Sequence, residues 1–342
     1  MTIDTLEGHP AAKPVARFSM RALLTTVAVA ALAVAVAGVL ARYVPLSNHV
    51  VMFAAALSPY LMTAAVASVV LFVLSRRWML AIAATAAMIA GIAVELPLFT
   101  SERTDHAAGA VALRVMTANL YFGQADASSL VATANASADV LAVQELTPES
   151  VRRLSTAGLD KSFPYRALDA RSGASGIGLW SRFPITESKR IDDYHLATVS
   201  ARIRVEGVEF DPTLLVAHMS GPWPQPIDDW RWDMGHMQGT MSDLAKSVGA
   251  GCAIVAGDFN STPDMREFRS LLQNGFQDAS QQAGAGLNRT FPADIRIPPL
   301  IAIDHVLTFQ CTATSAETAR LPGSDHRGLI SRLEIPQSPT AS

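Results

Sequence analysis

The segment Gly257-Asp258-Phe259-Asn260-Ser261-Thr262 closes an apolar run, Cys252 to Ala256, with a carboxylate and a carboxamide two residues apart. Side chains alternate along a strand with period two, so Asp258 and Asn260 are expected on one face, within reach of one phosphoryl group. Thr262-Pro263 is the expected start of a following helix. Asn119 ends the apolar run Val111 to Ala118, Gln144-Glu145 follows Asp139 to Val143, and His218 follows Thr213 to Ala217. Asp304-His305 comes after Ile301-Ala302-Ile303, and Ser324-Asp325-His326 lies between that strand and the next. Carboxylate, carboxamide and imidazole at several strand ends are the groups that a hydrolytic site needs.

The elements that would hold these groups can be read from period and punctuation. Strands are expected at Ile177 to Ser181, Val199 to Val205, Ile301 to Phe309 and Gly328 to Leu333, besides those named above. Asp126 to Ser137 reads as a helix, and Thr147-Pro148 supplies an N-cap followed by proline at the first helical position. Asp228 and Asp229 open a helix whose Trp230, Met234, Met237, Met241 and Leu244 recur at helical spacing, the stripe of a core-facing side. Many strands with both hairpin-length and helical connections predict an α/β fold, a sandwich of two sheets face to face with helices outside. Its cleft should lie where the polar strand ends gather.

The first hundred residues have a different texture. Ala22 to Ala41, Val50 to Leu74 and Met79 to Val94 carry no charge. The first two reach the roughly 20 residues needed to cross a bilayer, and the third does so with Glu95 to Leu98 at its edge. Three transmembrane helices are expected. A cleaved signal peptide accounts less well for the first run, which is long, is closed by Arg42 without a small-x-small site, and is followed by two more runs. Lys13, Arg17 and Arg21 precede the first run and Arg76-Arg77 separates the second from the third, so both segments are expected in the cytoplasm. Everything after Phe99 then lies outside it, in a multi-pass protein of the cell membrane. The plan is a cytoplasmic tail (1–18), a membrane domain (19–98), a linker (99–110), a catalytic domain (111–335) and a disordered tail (336–342).

From residue 101 onward 21 Lys and Arg stand against 27 Asp and Glu, a net of −6. Nonspecific nucleic-acid binding leans on basic residues, so this balance counts modestly against a nuclease of long duplex DNA. Cys252 and Cys311, both on expected strands, are read as two buried thiols, with a disulfide as the alternative.

Asn119 in Thr117-Ala118-Asn119-Leu120, Gln144-Glu145, Ala217-His218, Gly257-Asp258-Phe259-Asn260, Ile303-Asp304-His305 and Ser324-Asp325-His326 together resemble the endonuclease/exonuclease/phosphatase superfamily. Order and spacing agree across roughly residues 111 to 334, and Gly176-Ile177-Gly178-Leu179-Trp180-Ser181-Arg182-Phe183-Pro184-Ile185 is similar to a further family segment. Each segment alone reads as a turn, a cap or a solvated strand end; six in order do not. The resemblance implies a four-layer, deoxyribonuclease I-like sandwich behind the three membrane helices, and a metal-dependent phosphohydrolase, most plausibly a phosphodiesterase.

It also implies roles. Glu145 is the leading metal ligand, with Asn119 and Asp325 as neighbouring ligands or ligand-orienting groups, for Mg²⁺ or its substitute Mn²⁺. Asp258 would orient and deprotonate the attacking water, and Asn260 would hold that water or a phosphoryl oxygen. His326, fixed by Asp304, would donate to the phosphoryl group, and His218 would be a second donor or the acid for the leaving oxygen. His305 points to the opposite face and is read as structural. The loop Ser220-Gly221-Pro222-Trp223-Pro224-Gln225-Pro226 is distinctive, and its Trp223 suits a lipid interface, base stacking or plain packing. The substrate phosphate ester, on a lipid headgroup or a nucleic acid, is left open, as are a nuclease and a catalytically silent envelope protein as alternatives. No protein partner can be inferred.

Overall fold

The computed structural model describes residues 20–45, 48–101 and 109–338. The expected cytoplasmic tail, positions 102–108 of the linker and the last four residues lie outside the described residues. Five helices come first: α1 (Met20–Ala41), α2 (His49–Ala56), α3 (Ser58–Met62), α4 (Ala64–Leu74) and α5 (Trp78–Glu95). α1 and the stretch Trp78–Leu98 are long and apolar enough to cross a membrane. The middle run differs from the single straight span expected of it, because α2 bends by 67° from the Ser58–Leu74 limb, which carries Pro59 near its start. The helices meet through small residues: the Ser58 hydroxyl donates to the Gly38 carbonyl and the Ser68 hydroxyl to the Ala28 carbonyl, both at 2.9 Å. Side chains of that size let helix backbones approach closely.

Two six-stranded sheets follow. One comprises β1 (Val111–Asn119), β2 (Val140–Gln144), β3 (Tyr165–Asp169), β4 (Ile177–Ser181), β11 (Thr312–Arg320) and β12 (Arg327–Ile335), in the order β11-β12-β1-β2-β4-β3. The other comprises β5 (Ile185–Arg190), β6 (Val199–Ile203), β7 (Thr213–His218), β8 (Ala253–Asp258), β9 (Gln277–Asp278) and β10 (Asp304–Phe309), in the order β5-β6-β7-β8-β10-β9. Leu113 and Val115 of β1 and Val140 of β2 pack between the sheets against Val216 of β7 and Ile254 and Ala256 of β8. Helices α6 (Ala127–Ser137), α7 (Pro148–Thr156) and α8 (Leu159–Ser162) cover the first sheet, with Asp126 and Thr147 as side-chain N-caps. α9 (Ile227–Val248) and α10 (Arg266–Leu271) cover the second, and short α11 (Ala279–Gln282) follows β9. The four-layer α/β sandwich is therefore present.

Two readings need correction. Cys252 and Cys311 form a disulfide with Cα atoms 5.4 Å apart rather than two thiols. The antiparallel register pairs Ala253 with Phe309, which brings the residues flanking that pair together. The helix expected at Thr262-Pro263 begins only at Arg266, because the Met265 N–H closes a turn on the Thr262 carbonyl at 3.0 Å and Met265 itself is extended, at ψ 134°.

The bundle and the sandwich share a buried interface. Ala41, Met52, Ala55 and Ala56 pack with Trp230, Met265 and Phe268. Within it Arg42, 5% exposed, pairs with Glu95 at 2.7 Å and with Asp264. Arg269 donates to the Asp264 carbonyl at 2.6 Å and also to the Arg42 carbonyl. A buried cation between two carboxylates cannot be removed without stranding them. Arg42→Met should therefore cost about 3 to 5 kcal/mol, seen as a lowered melting temperature of the full chain in detergent. Adding Glu95→Gln and Asp264→Asn should restore much of it. An unchanged melting temperature in the single variant would contradict this account.

Candidate active site

β1 runs parallel to β2, and β7 parallel to β8, so four strands end at one edge of the sandwich. β10 and β12 run antiparallel to β8 and β1 and therefore begin at that edge, with Asp304 opposite Asp258 in the register. Parity does the rest. Leu113 and Val115, Leu214 and Val216, Ile254 and Ala256, and Val306 all point between the sheets. Asn119, His218, Asp258 and Asp304 continue those same alternations, so the site is the polar end of the inter-sheet core. Gly257 permits the closeness of β7 and β8, since a Cβ there would meet the Ala217 carbonyl oxygen at 1.8 Å.

Glu145 lies one residue past β2, where strand parity would turn it toward the helices. Its left-handed backbone, φ +55°, turns it back. Its Oε1 accepts from the Asn119 amide at 3.1 Å and its Oε2 from the Phe122 backbone N–H at 2.5 Å. Tyr121 and Phe122 are also left-handed, at φ +49° and +52°, and the Tyr121 N–H donates to Asn119 Oδ1 at 2.9 Å. Such conformations are uncommon for side chains larger than glycine and cluster at functional sites.

Asn119 also donates to Asp258 Oδ2 at 3.0 Å, so one amide bridges two carboxylates. His218 Nε2 and His326 Nε2 each lie 3.7 Å from Asp258 Oδ2, and His326 Nδ1 is 2.8 Å from Asp304 Oδ2. Asp258, Asp304 and His326 offer atoms within 4.8 Å of one another. Asn260 departs from the period-two expectation because β8 has ended. At φ +48° its N–H donates to Asp258 Oδ1 at 2.8 Å, and its side-chain amide donates to the Met219 carbonyl at 2.9 Å. Asp325 stands beside His326, its Oδ1 3.9 Å from His326 Nε2.

The charges are strongly coupled. Burial pushes the Asp258 carboxyl up and the Asp304 carboxylate adds to this, while His326 and His218 pull it down. Burial would lower the His326 imidazole, but Asp304 and Asp258 outweigh it and raise the group to about 10, so it is an imidazolium at neutral pH. Burial is also the main cause that moves Asp325 up to about 6; His326 opposes and the Glu145 carboxylate reinforces the rise. Asp325 Oδ1, Asp304 Oδ1 and His218 Nδ1 are buried and have no hydrogen-bond partner among the described residues.

Several supporting residues carried no sequence signal. The Thr290 hydroxyl accepts from the Ile303 and Asp304 N–H groups at 3.3 and 3.4 Å, and the Phe291 ring lies 5.0 Å from His326. The Ser324 hydroxyl donates to the Asn119 carbonyl at 2.7 Å, tying β12's approach to β1. A cavity of about 300 Å³ lined by Lys189, Arg202, Thr240 and Asp243 lies between the second sheet and α9 and contains none of the site residues.

The fold is thus a four-layer α/β sandwich with buried carboxylates and imidazoles gathered at one sheet edge. Residues 116–326 match the endonuclease/exonuclease/phosphatase family, and the chain belongs to it. A search of the curated proteins gives no match. Among solved structures, the chain is similar to the endonuclease/exonuclease/phosphatase from Bacteroides vulgatus, at 18% identity and a TM-score of 0.54, over 66% of this chain and 99% of that one. D. rerio TDP2 complexed with a single-strand DNA product gives 18% and 0.53, over 65% and 98%. The 3′ phosphatase NExo from Neisseria, bound to a product DNA hairpin, gives 15% and 0.51, over 64% and 98%.

His305 points away from the site, as expected. Its Nδ1 is 2.7 Å from Asp278 Oδ2 and its Nε2 2.9 Å from the Ser261 carbonyl, so it braces the loop after Asp258 from behind. Burial opposes its charge, but Asp278 prevails and the folded pKa is raised. A raised imidazole contributes stability that is fully present below its unfolded value, near 6.5, and is lost as pH rises through the folded value. His305→Gln should therefore lower stability by about 3 kcal/mol at pH 6, with the gap to the unaltered chain narrowing in alkaline buffer. Melting curves across pH check this, and a gap that widens with pH would contradict it.

Proposed function

We propose that this chain is a membrane-anchored, extracytoplasmic, metal-dependent phosphodiesterase whose water nucleophile is activated by Asp258. The observation that carries the reading is the buried Asp258 carboxylate, whose Oδ2 has two imidazole nitrogens, of His218 and His326, at 3.7 Å. Asp258 takes a proton from water as its oxygen bonds to phosphorus. The ester P–O bond opposite breaks, and the leaving oxygen takes a proton from His218. His326, kept charged and oriented by Asp304, donates to the phosphoryl oxygens as charge gathers on them. Asn260, next to this water, holds the loop in register.

A hard divalent cation, Mg²⁺ or Mn²⁺, fits the other half of the site. The Glu145 carboxylate adds to the rise that burial causes in Asp325, and Asp325 Oδ1 is buried without a hydrogen-bond partner. Both would hold the cation, and Asn119 would orient Glu145. Asp258, Asp304 and His326 make a tighter cluster, but Asp304 Oδ2 is already committed to His326, which favours proton chemistry there. The cation, when bound, supplies charge withdrawal from the phosphoryl oxygens.

Anchoring draws on the two long apolar helices, or three spans if the bent pair His49–Ala56 and Ser58–Leu74 is one span. The sandwich packs at the end of the bundle marked by Arg42 and Glu95, opposite Arg76-Arg77, which favours the extracytoplasmic side. The Cys252–Cys311 disulfide agrees with an oxidising compartment. A nuclease is the second reading, favoured by the DNA products held in two of the similar structures.

Chelation should abolish turnover of a chromogenic phosphodiester, and Mg²⁺ or Mn²⁺ should restore it. Asp258→Asn and His326→Gln should each lower the rate by about 10² to 10⁴. Glu145→Gln should raise the cation concentration for half-maximal rate by about tenfold or more. Unchanged rates in Asp258→Asn, or turnover indifferent to chelation, would refute the reading.

A further inference from the structure

The two loops that flank the site come down on the helical bundle. Residues 219–226 run from His218 to α9, and Trp223 in this loop is 63% exposed. Its ring still meets His49 and Phe53 of α2 edge-on, at 5.7 and 6.3 Å, and His49 Nε2 lies 3.1 Å from the Pro222 carbonyl. On the other side, residues 291–303 lead into Asp304, starting from the Phe291 ring beside His326. There the Tyr60 hydroxyl of α3 donates to the Leu300 carbonyl at 2.7 Å. Ile295 and Ile297, between those anchors, are each 49% exposed.

A tryptophan and two isoleucines are exposed on the two loops that follow His218 and precede Asp304, and the same loops touch the bundle. Phe53, which the Trp223 ring meets, is itself exposed, and so are Leu40, Leu57, Ile92 and Leu96 at the same end of the bundle. α2 turns out of line with the limb below it by 67° and passes beneath the Trp223 loop. Tryptophan with a polar N–H at the top of an apolar stack is the side chain that settles at a bilayer's headgroup level. The occupant continuous with both the rims and the bundle is the lipid surface. A nucleic acid would need basic rims instead, and the part beyond residue 101 has a net charge of −6.

We infer that the phosphate ester served by this site belongs to a lipid headgroup, delivered from the bilayer surface past Trp223 and the Ile295–Ile297 rim. This rests on the hydrolytic reading given above. Water's oxygen bonds to the headgroup phosphorus, one ester bond breaks, and the freed alkoxyl leaves protonated; no oxidant or further co-reactant is needed.

The test uses the full chain reconstituted in phosphatidylcholine vesicles containing phosphatidylglycerol and phosphatidylinositol. Rates on these lipids are compared with rates on their deacylated glycerophosphodiesters, on single-stranded DNA and on a soluble chromogenic phosphodiester. Cleavage of at least one diacyl lipid should exceed cleavage of its deacylated counterpart by about tenfold or more, the worth of burying one large apolar side chain. Trp223→Ser, and separately Ile295→Ser with Ile297→Ser, should reduce that ratio by a similar factor. Equal rates on the diacyl and deacylated forms, or faster cleavage of DNA, would overturn the lipid assignment while hydrolysis itself stood. No cleavage of any substrate, the chromogenic one included, would overturn the hydrolytic reading and this inference with it.

Discussion

A carboxylate at the end of an apolar strand, 1% exposed, would be expected to give up its charge unless something nearby were positive. Asp258 is in that position: burial raises its pKa, and the two imidazoles beside it offset part of that rise. Much else follows from this need. His326 must stay charged, so Asp304 must be buried against its other nitrogen, and Thr290 must hold the Asp304 backbone. His218 comes from β7, the parallel neighbour of β8, and only the glycine at 257 lets those two strands close up so far. The cluster is therefore stable as a set and costly in part, as buried polar networks are.

The backbone serves the same end by a simple device. Parallel pairs at the centre of each sheet bring strand ends to one edge, and antiparallel neighbours start there. Where strand parity would send a needed group the wrong way, the chain uses a left-handed residue, as at Glu145. The N-terminal helices are joined to this edge through Arg42, whose partner Asp264 lies six residues after Asp258. Bundle and site are thus one packed unit, with the loop after Asp258 braced by His305 from one side and by the Arg42 pairs from the other.

The sequence made most of this legible where burial and period coincide. β1, β2, β7 and β8 are uninterrupted apolar runs, and the polar residues that end them could be named from their positions alone. The four edge strands, β3, β5, β9 and β11, carry no such signal, because segments such as Ile-Thr-Glu-Ser-Lys-Arg are mostly exposed and alternate little. The left-handed Tyr121 and Phe122 and the support from Thr290 depend on tertiary contacts that no local pattern encodes. The bend after α2 was hidden for a similar reason: hydropathy reports length, and Val50 to Leu74 is apolar throughout whether it crosses straight or lies partly along the sandwich. The pairing of Cys252 with Cys311 needed the β8–β10 register, which spacing alone does not give.

Attack by an Asp258-activated water on phosphorus is the step on which the account stands. Hydrolysis of a phosphodiester in water enriched in heavy oxygen, with both products analysed by mass spectrometry, follows that step directly. The account predicts the label in the phosphate-bearing product and none in the released alcohol. Label in the alcohol would mean that carbon, not phosphorus, is attacked, and would contradict it.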